Sequence, residues 1–359
     1  MPIRIIFFGS SDYCMPILDS LKRNFELKAI ITKPDSPVGR RQILTPTEVK
    51  KYSQTHKIPV FTPANKKELI NLKEDITKLK SDIAVVADYG IIIPKEIFSL
   101  PRLKTLNIHF SKLPDFRGAS PVQYTILRGD NSGWISIILM DEKMDTGDIL
   151  WQKEVKLNGK EITEELYKKL FNVVGLSLPE IINSLNNHKL IPQKQDHSKA
   201  TYAKIFTRGD GFIPYAIIKP AISGQSPEPS KLLSWPLYRE IISNFPTTNQ
   251  KLLTTRHLSL TAYSLQPTTI IYNAFRALSP WPGMWTNIQI TENRQQITKR
   301  LKIIHAHVES ITHNTPPTTK LVLDLVQLEG KNTVSWKQFT EGYPDILSPA
   351  SLITCTNSL

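Results

Sequence analysis

The chain has 359 residues, 40% of them hydrophobic and 21% charged, which excludes wholesale disorder and allows one large domain or two ordinary ones. Its net charge of +13 and pI near 9.5 come from basic residues spread along the chain rather than from a tail, and a protein this basic commonly meets a polyanion, nucleic acid first. Two cysteines at opposite ends, Cys14 and Cys355, with no CxxC and no Cys/His cluster, argue against a disulfide framework and a structural zinc and fit a reducing compartment.

The opening apolar run, 3–8, ends at Gly9 as a buried parallel strand would, and is too short for the apolar centre of a signal peptide. Pro16 opens a helical stretch over 17–22, and 27–32 reads as a second strand. Thr45-Pro46-Thr47-Glu48 offers an N-cap, a proline at the first helical position and a glutamate that closes a capping box. Strands follow at 58–61, 83–87 and 105–109; Ser120-Pro121 caps a helix that ends at Gly129; 134–140 and 149–155 are two more strands. Alternation of this kind predicts a parallel, doubly wound sheet, which binds ligands beyond the carboxyl ends of its strands. A helical pattern from 163 to about 185 closes this half, with Pro179 expected to kink or divide it. After Phe206 prolines and serines become dense over 213–234. Strand-like runs at 301–304, 321–328 and 333–336 then suggest a small β domain behind a linker near 206–215. No segment is apolar for the roughly 18 residues of a spanning helix. Gly9-Ser10-Ser11 is too short for a glycine-rich phosphate loop.

Three segments carry candidate chemistry. In Asn107-Ile108-His109 the two polar side chains fall on one face of a strand, where an amide can donate to an oxyanion and an imidazole can polarise a carbonyl or move a proton. Taken alone, such a pair more often satisfies buried backbone groups. The loop from Asp141 to Asp148, with carboxylates at Asp141, Glu142, Asp145 and Asp148 and a turn glycine at Gly147, suits a solvated turn or an acid–base site and lacks the calcium-loop spacing. The segment from Lys33 to Arg41 sets adjacent arginines, Arg40 and Arg41, beside glycine and proline, and could contact phosphates or be an ordinary exposed connection.

The three segments occur together, and in the order in which they occur in the methionyl-tRNA formyltransferases, which the chain resembles. Ile5-Ile6-Phe7-Phe8-Gly9 with Pro16 is similar to the family's N-terminal stretch. Pro34-Asp35-Ser36-Pro37-Val38-Gly39-Arg40 with Leu44-Thr45-Pro46 is similar to its substrate loop. Val85-Val86-Ala87-Asp88-Tyr89-Gly90 through Ile93-Pro94 resembles its folate-side strand. Asn107-Ile108-His109, Ser111, Leu113-Pro114, Arg117-Gly118-Ala119, Pro121 and Gln123 resemble the catalytic strand and its exit, and Met140-Asp141 with Asp145-Thr146-Gly147-Asp148 the acidic loop. Farther on, Arg276-Ala277, the run from Ser279 to Thr286, Gln327, Glu329-Gly330-Lys331, Phe339 and Gly342 resemble parts of the family's C-terminal domain. Phe110 and Lys112 depart from the pattern, and 215–263 is longer and less recognisable than the family's link between domains.

The resemblance implies a Rossmann-like, mostly parallel α/β catalytic domain over 1–206. It implies a small C-terminal β-barrel, like an oligonucleotide-binding fold, over 207–359 with an insertion at about 215–263. It also implies formyl transfer from 10-formyltetrahydrofolate to the α-amino group of methionyl initiator tRNA, in translation initiation, by a cytoplasmic monomer without a metal. Asn107, His109 and Asp145 would be catalytic, and Tyr89, Gly90, Ile91, Ser111, Leu113, Pro114 and Asp141 would bind folate and substrate. Arg40 and Arg41 would bind tRNA. An amino-sugar-nucleotide formyltransferase or a 10-formyltetrahydrofolate hydrolase would share the Asn-His-Asp set. A catalytically silent nucleic-acid-binding module would have no use for it.

Overall fold

A computed structural model describes residues 2–39, 41–244, 266–292, 295–311 and 318–347. Arg40 and Cys355, and residues 245–263 of the expected insertion, lie outside them. The chain forms two compact units: Met1–Val122, Asn131–Asn158 and Glu165–Lys204 in the first, and Gln123–Asp130, Gly159–Glu164 and Ile205–Leu359 in the second.

The first unit is built on β1 (Arg4–Phe8), β2 (Glu26–Ile31), β5 (Val60–Phe61), β6 (Ile83–Ala87), β7 (Thr105–His109), β9 (Ser132–Leu139) and β10 (Ile149–Lys156). A hairpin, β3 (Ser36–Val38) with β4 (Ile43–Thr45), stands apart, as does the pair of β8 (Arg117–Gly118) and β11 (Tyr202–Ala203). The main sheet runs in the order β10-β9-β7-β6-β1-β2-β5. The strands from β7 to β5 are parallel, whereas β9 is antiparallel to β7 and β10 to β9. The sheet is thus mostly parallel with an antiparallel edge. β1 and β6 are apolar because side chains on both of their faces are covered, as in α/β sheets generally.

Helices α1 (Met15–Asn24), α2 (Glu48–Thr55), α3 (Lys66–Asn71), α4 (Lys73–Lys78) and α5 (Lys95–Phe98) connect these strands, α6 (Pro121–Arg128) follows β8, and α7 (Thr163–Asn186) follows β10. Two local expectations change. The α2 cap is Thr47, whose side chain accepts from Lys50 N; Thr45 is taken up by the hairpin, so Pro46 precedes the cap. Pro179 does not divide α7, which continues to Asn186 although proline has no N–H to give the helix.

The second unit contains α8 (Tyr215–Ile222), α9 (Pro229–Leu232), α10 (Pro236–Asn244), α11 (Pro267–Leu278), β12 (Met284–Glu292), β13 (Gln295–Ile311), β14 (Thr318–Leu328), β15 (Thr333–Ser335) and α12 (Trp336–Gly342). The four strands pair antiparallel in chain order, and the expected runs at 301–304, 321–328 and 333–336 fall on β13, β14 and the β15–α12 junction. Met284, Thr286, Ile288 and Ile290 alternate inward on β12 and join Leu301, Ile303, Leu321, Leu323 and Val326 in one buried face. Against that sheet lie α8 and α11, which bury Ile217, Ile218, Ala221, Ile271, Ala274 and Leu278. The described part of the unfamiliar stretch thus holds three helices, of which α8 is the most apolar, and Trp235 within it is fully buried with its indole N–H donated to Phe212 O at 2.8 Å.

Candidate active site

Asn107 and His109 end the buried β7 and point to one face, as their spacing predicts. The acidic loop between β9 and β10 brings Asp145 to them. Asn107 Nδ2 donates to Asp145 Oδ1 at 3.1 Å, and Asp145 Oδ2 lies 3.5 Å from His109 Nδ1. Gly118 N donates to the same Oδ2 at 2.8 Å. The side chains of His109 and Asp145 are 6% and 9% exposed, so their interaction is poorly screened by water.

The proton positions follow from the partners. His109 Nε2 sits 2.8 Å from Phe116 O, and a carbonyl only accepts, so Nε2 carries hydrogen. Nδ1, facing the carboxylate, is then the position at which the ring takes up a further proton. One hydrogen of the Asn107 amide is used by Asp145, and an amide nitrogen has two.

Two close approaches shape the loop. A Cβ on Gly147 would lie 1.7 Å from Leu139 O, so no other residue fits there without moving the backbone. Asp145 itself has φ 56°, a region that Asp tolerates better than most residues. At Gly118, whose N–H reaches Asp145, φ is 116° and a Cβ would lie 2.5 Å from Ala203 O, so the position suits glycine.

The other expected site residues are spread more widely. Ser111 is buried, its hydroxyl donating to Asp115 O at 2.5 Å and its carbonyl accepting from Ser136 Oγ at 2.6 Å. Leu113 N donates to Ser136 Oγ at 3.2 Å and Leu113 O accepts from Gln152 Nε2 at 3.1 Å, so the stretch Ser111 to Pro114 is a wall fixed to β9 and β10. Tyr89 lies in the hydrophobic cluster with Ile6, Phe8 and Ile97, edge-on to Phe8 with ring centroids 5.5 Å apart; burial pushes its phenol pKa up. Gly90 follows it in the open with φ 75°, and Ile91 packs partly against the cluster. Asp141 closes the acidic loop on itself, with both carboxylate oxygens 2.7 Å from Thr146 Oγ1 and Oδ1 accepting from Lys143 N. Arg41 is exposed in the turn of the β3–β4 hairpin. Among the described residues no group of three or more His, Cys, Asp or Glu could hold a metal ion, and no helix is long and apolar enough to cross a membrane.

Sequence reading missed Gln195. Its Nε2 donates to Asp145 O at 2.9 Å and Gly147 O at 2.7 Å, and its Oε1 accepts from Arg117 Nη2 at 2.7 Å and Nε at 3.3 Å. Nothing in Lys194-Gln195-Asp196 marks it, because the contact joins segments 50 residues apart.

The formyl transferase domain family matches residues 3–182. Match and sheet define the class: a formyl-transferring enzyme. Methionyl-tRNA formyltransferase of Caldicellulosiruptor saccharolyticus is 31% identical over 96% of this chain and 99% of its own length. The chain belongs to the methionyl-tRNA formyltransferase family. Among solved structures, methionyl-tRNA formyltransferase from Clostridium thermocellum shares the fold with a TM-score of 0.50 at 18% identity, over 91% of this chain and 98% of that one. An N-formyltransferase from Helicobacter canadensis, solved with folinic acid and dTDP-3-aminofucose, does so with a TM-score of 0.53 at 18% identity, over 87% and 90%.

Proposed function

We propose that the protein transfers the formyl group of 10-formyltetrahydrofolate to the α-amino group of methionyl initiator tRNA, for translation initiation in the cytoplasm. The convergence of Asn107 and His109 on Asp145 carries the chemistry. The fold does not choose the acceptor, since the amino-sugar enzyme shares it; identity along almost the whole chain favours tRNA. On this reading the division near 206/207 separates a catalytic domain from one that grips tRNA.

An α-amino group titrates near pH ~7.7–8.0, so a useful fraction is neutral and nucleophilic. Its nitrogen attacks the formyl carbon on N10. The remaining Asn107 amide hydrogen stabilises the oxyanion, with the His109 ring beside it helping to polarise the carbonyl. Asp145 accepts the proton that the amine loses and holds His109 in place; that proton is returned to N10 as the bond from the formyl carbon to N10 breaks. Gly90, Ile91 and the wall from Ser111 to Pro114 shape the folate side, and Arg40 and Arg41 meet phosphates of the acceptor end.

Purified enzyme is to be given the formyl donor with methionyl initiator tRNA, an amino-sugar nucleotide, or water alone. Formyl-methionyl-tRNA is the expected product, and Asp145→Asn should abolish most of its formation while leaving donor binding intact. Formylated sugar, or formate released without tRNA, as the main product would refute the tRNA reading.

A further inference from the structure

We propose that Gln195 and Arg117 form a positioning clamp that holds the acidic loop in the geometry in which Asp145 meets Asn107 and His109; this rests on the catalytic reading of Asp145 above. The loop needs an external hold. Asp145 sits at positive φ, and the backbone at Gly147 passes so close to Leu139 O that a Cβ there would lie 1.7 Å from it, so the loop has a single path to keep. The carbonyls of both residues point to a single side chain, that of Gln195, which is 6% exposed.

The chemistry of that side chain is fully determined by its partners. Both amide hydrogens go to carbonyls, at 2.9 Å to Asp145 O and 2.7 Å to Gly147 O. The amide oxygen receives the Arg117 guanidinium, at 2.7 Å from Nη2 and 3.3 Å from Nε. A flipped amide would set hydrogens against the guanidinium and oxygen against two carbonyls, so only one orientation satisfies the network. Arg117 is itself 2% exposed, and its Nη2 lies 2.8 Å from His197 Nδ1; because arginine only donates, that nitrogen accepts. The residue next to Arg117 is Gly118, whose N–H binds the Asp145 carboxylate. The strand β8 thus addresses Asp145 twice, directly through Gly118 and through Arg117 and Gln195 at its backbone. Neither Gln195 nor Arg117 touches a reacting atom; they act by setting where the carboxylate sits.

Glutamate at 195 would keep the shape and the Arg117 partner but turn two donors into acceptors facing carbonyls. Gln195→Glu is therefore expected to lower kcat by about 100-fold, as a misplacement near 1 Å at a reacting centre does, with KM for donor and for tRNA little changed and the melting profile retained. In an Asp145→Asn background the same change should bring no further loss, since the two residues act as one unit. Should Gln195→Glu fail to fold, Arg117→Lys, which keeps a charge but loses the forked donors to Oε1, should show the same kcat-selective loss to a smaller degree. Wild-type kcat in whichever of the two variants folds overturns the clamp, as does an additive loss in the Asp145→Asn background. Near wild-type turnover by Asp145→Asn alone would instead overturn the catalytic reading, and the clamp with it.

Discussion

Gly147 contributes to the proposed site by what it lacks. With a Cβ placed 1.7 Å from Leu139 O, the loop must retreat, and Asp145 two residues earlier retreats with it. Gly147→Ala should fold, since the loop is at the sheet's end, yet lose turnover by about 100-fold because the carboxylate no longer meets Asn107 and His109. Single-turnover formylation measures this, and a rate close to wild type would show that the loop relaxes without moving Asp145. At this scale Asn107 and His109 were legible as two polar side chains on one strand face and Asp145 as one carboxylate of an acidic loop; that the three form one candidate site came from the family resemblance, not from spacing. Asp141 was legible only as an acid; its part in closing the loop through Thr146 depends on a turn that spacing does not reveal. Gln195 and Arg117 were not legible as a pair, since hydrogen bonds between distant segments leave no periodicity behind.

Among the elements, the start of β1 and the approaches to β6 and β7 are tied together by one carboxylate. Asp82 accepts from Arg4 N at 2.9 Å, Arg4 Nε at 3.1 Å and Arg102 Nε at 3.3 Å. The Arg4 hydrogen bond, above all, holds its pKa down at about 2 against an ordinary 3.8. A depressed carboxyl pKa stabilises the fold when the pH is above the unfolded value, and this contribution is lost as pH falls from about 4 toward 2. Asp82→Asn should therefore cost about 1 kcal/mol at pH 7, modest because both arginines are partly solvated, and the gap to wild type should shrink at pH 3. Urea unfolding at both pH values measures the gap; an equal difference at each would mean that charge is not its source. The strands of this sheet were readable because burial on both faces leaves continuous apolar runs. The helices of the second unit were not, because their prolines look like breakers: Pro229, Pro236 and Pro267 each begin a helix, where a fixed φ helps and the missing N–H costs nothing. Likewise Ser335, which reads as part of a strand, ends β15 and caps α12 in a capping box with Gln338.

For the molecule as a whole, the net charge of +13 decides how it should meet a polyanion. If tRNA is held through its phosphates, binding releases counterions, and 6–10 contacts would weaken affinity by about 10³–10⁵ between roughly 50 and 200 mM salt. Net charge alone also attracts RNA, so the steepness of the decline for wild type does not separate general attraction from a built contact. Two substitutions that remove the same charge do. Arg41 is exposed in the hairpin turn, whereas Lys78 is an exposed residue of α4 paired with Asp75 at 3.3 Å. If the hairpin meets phosphate, Arg41→Ala should reduce the slope of log affinity against log salt by about one contact, roughly 0.7–0.9, and leave the KM for the folate donor unchanged. Lys78→Ala, with the same loss of formal charge, should leave the slope at its wild-type value. Equal slopes in the two variants would mean that the hairpin does not touch the nucleic acid, and the preference for tRNA would then rest on the full-length kinship with methionyl-tRNA formyltransferases rather than on any basic side chain of the first unit.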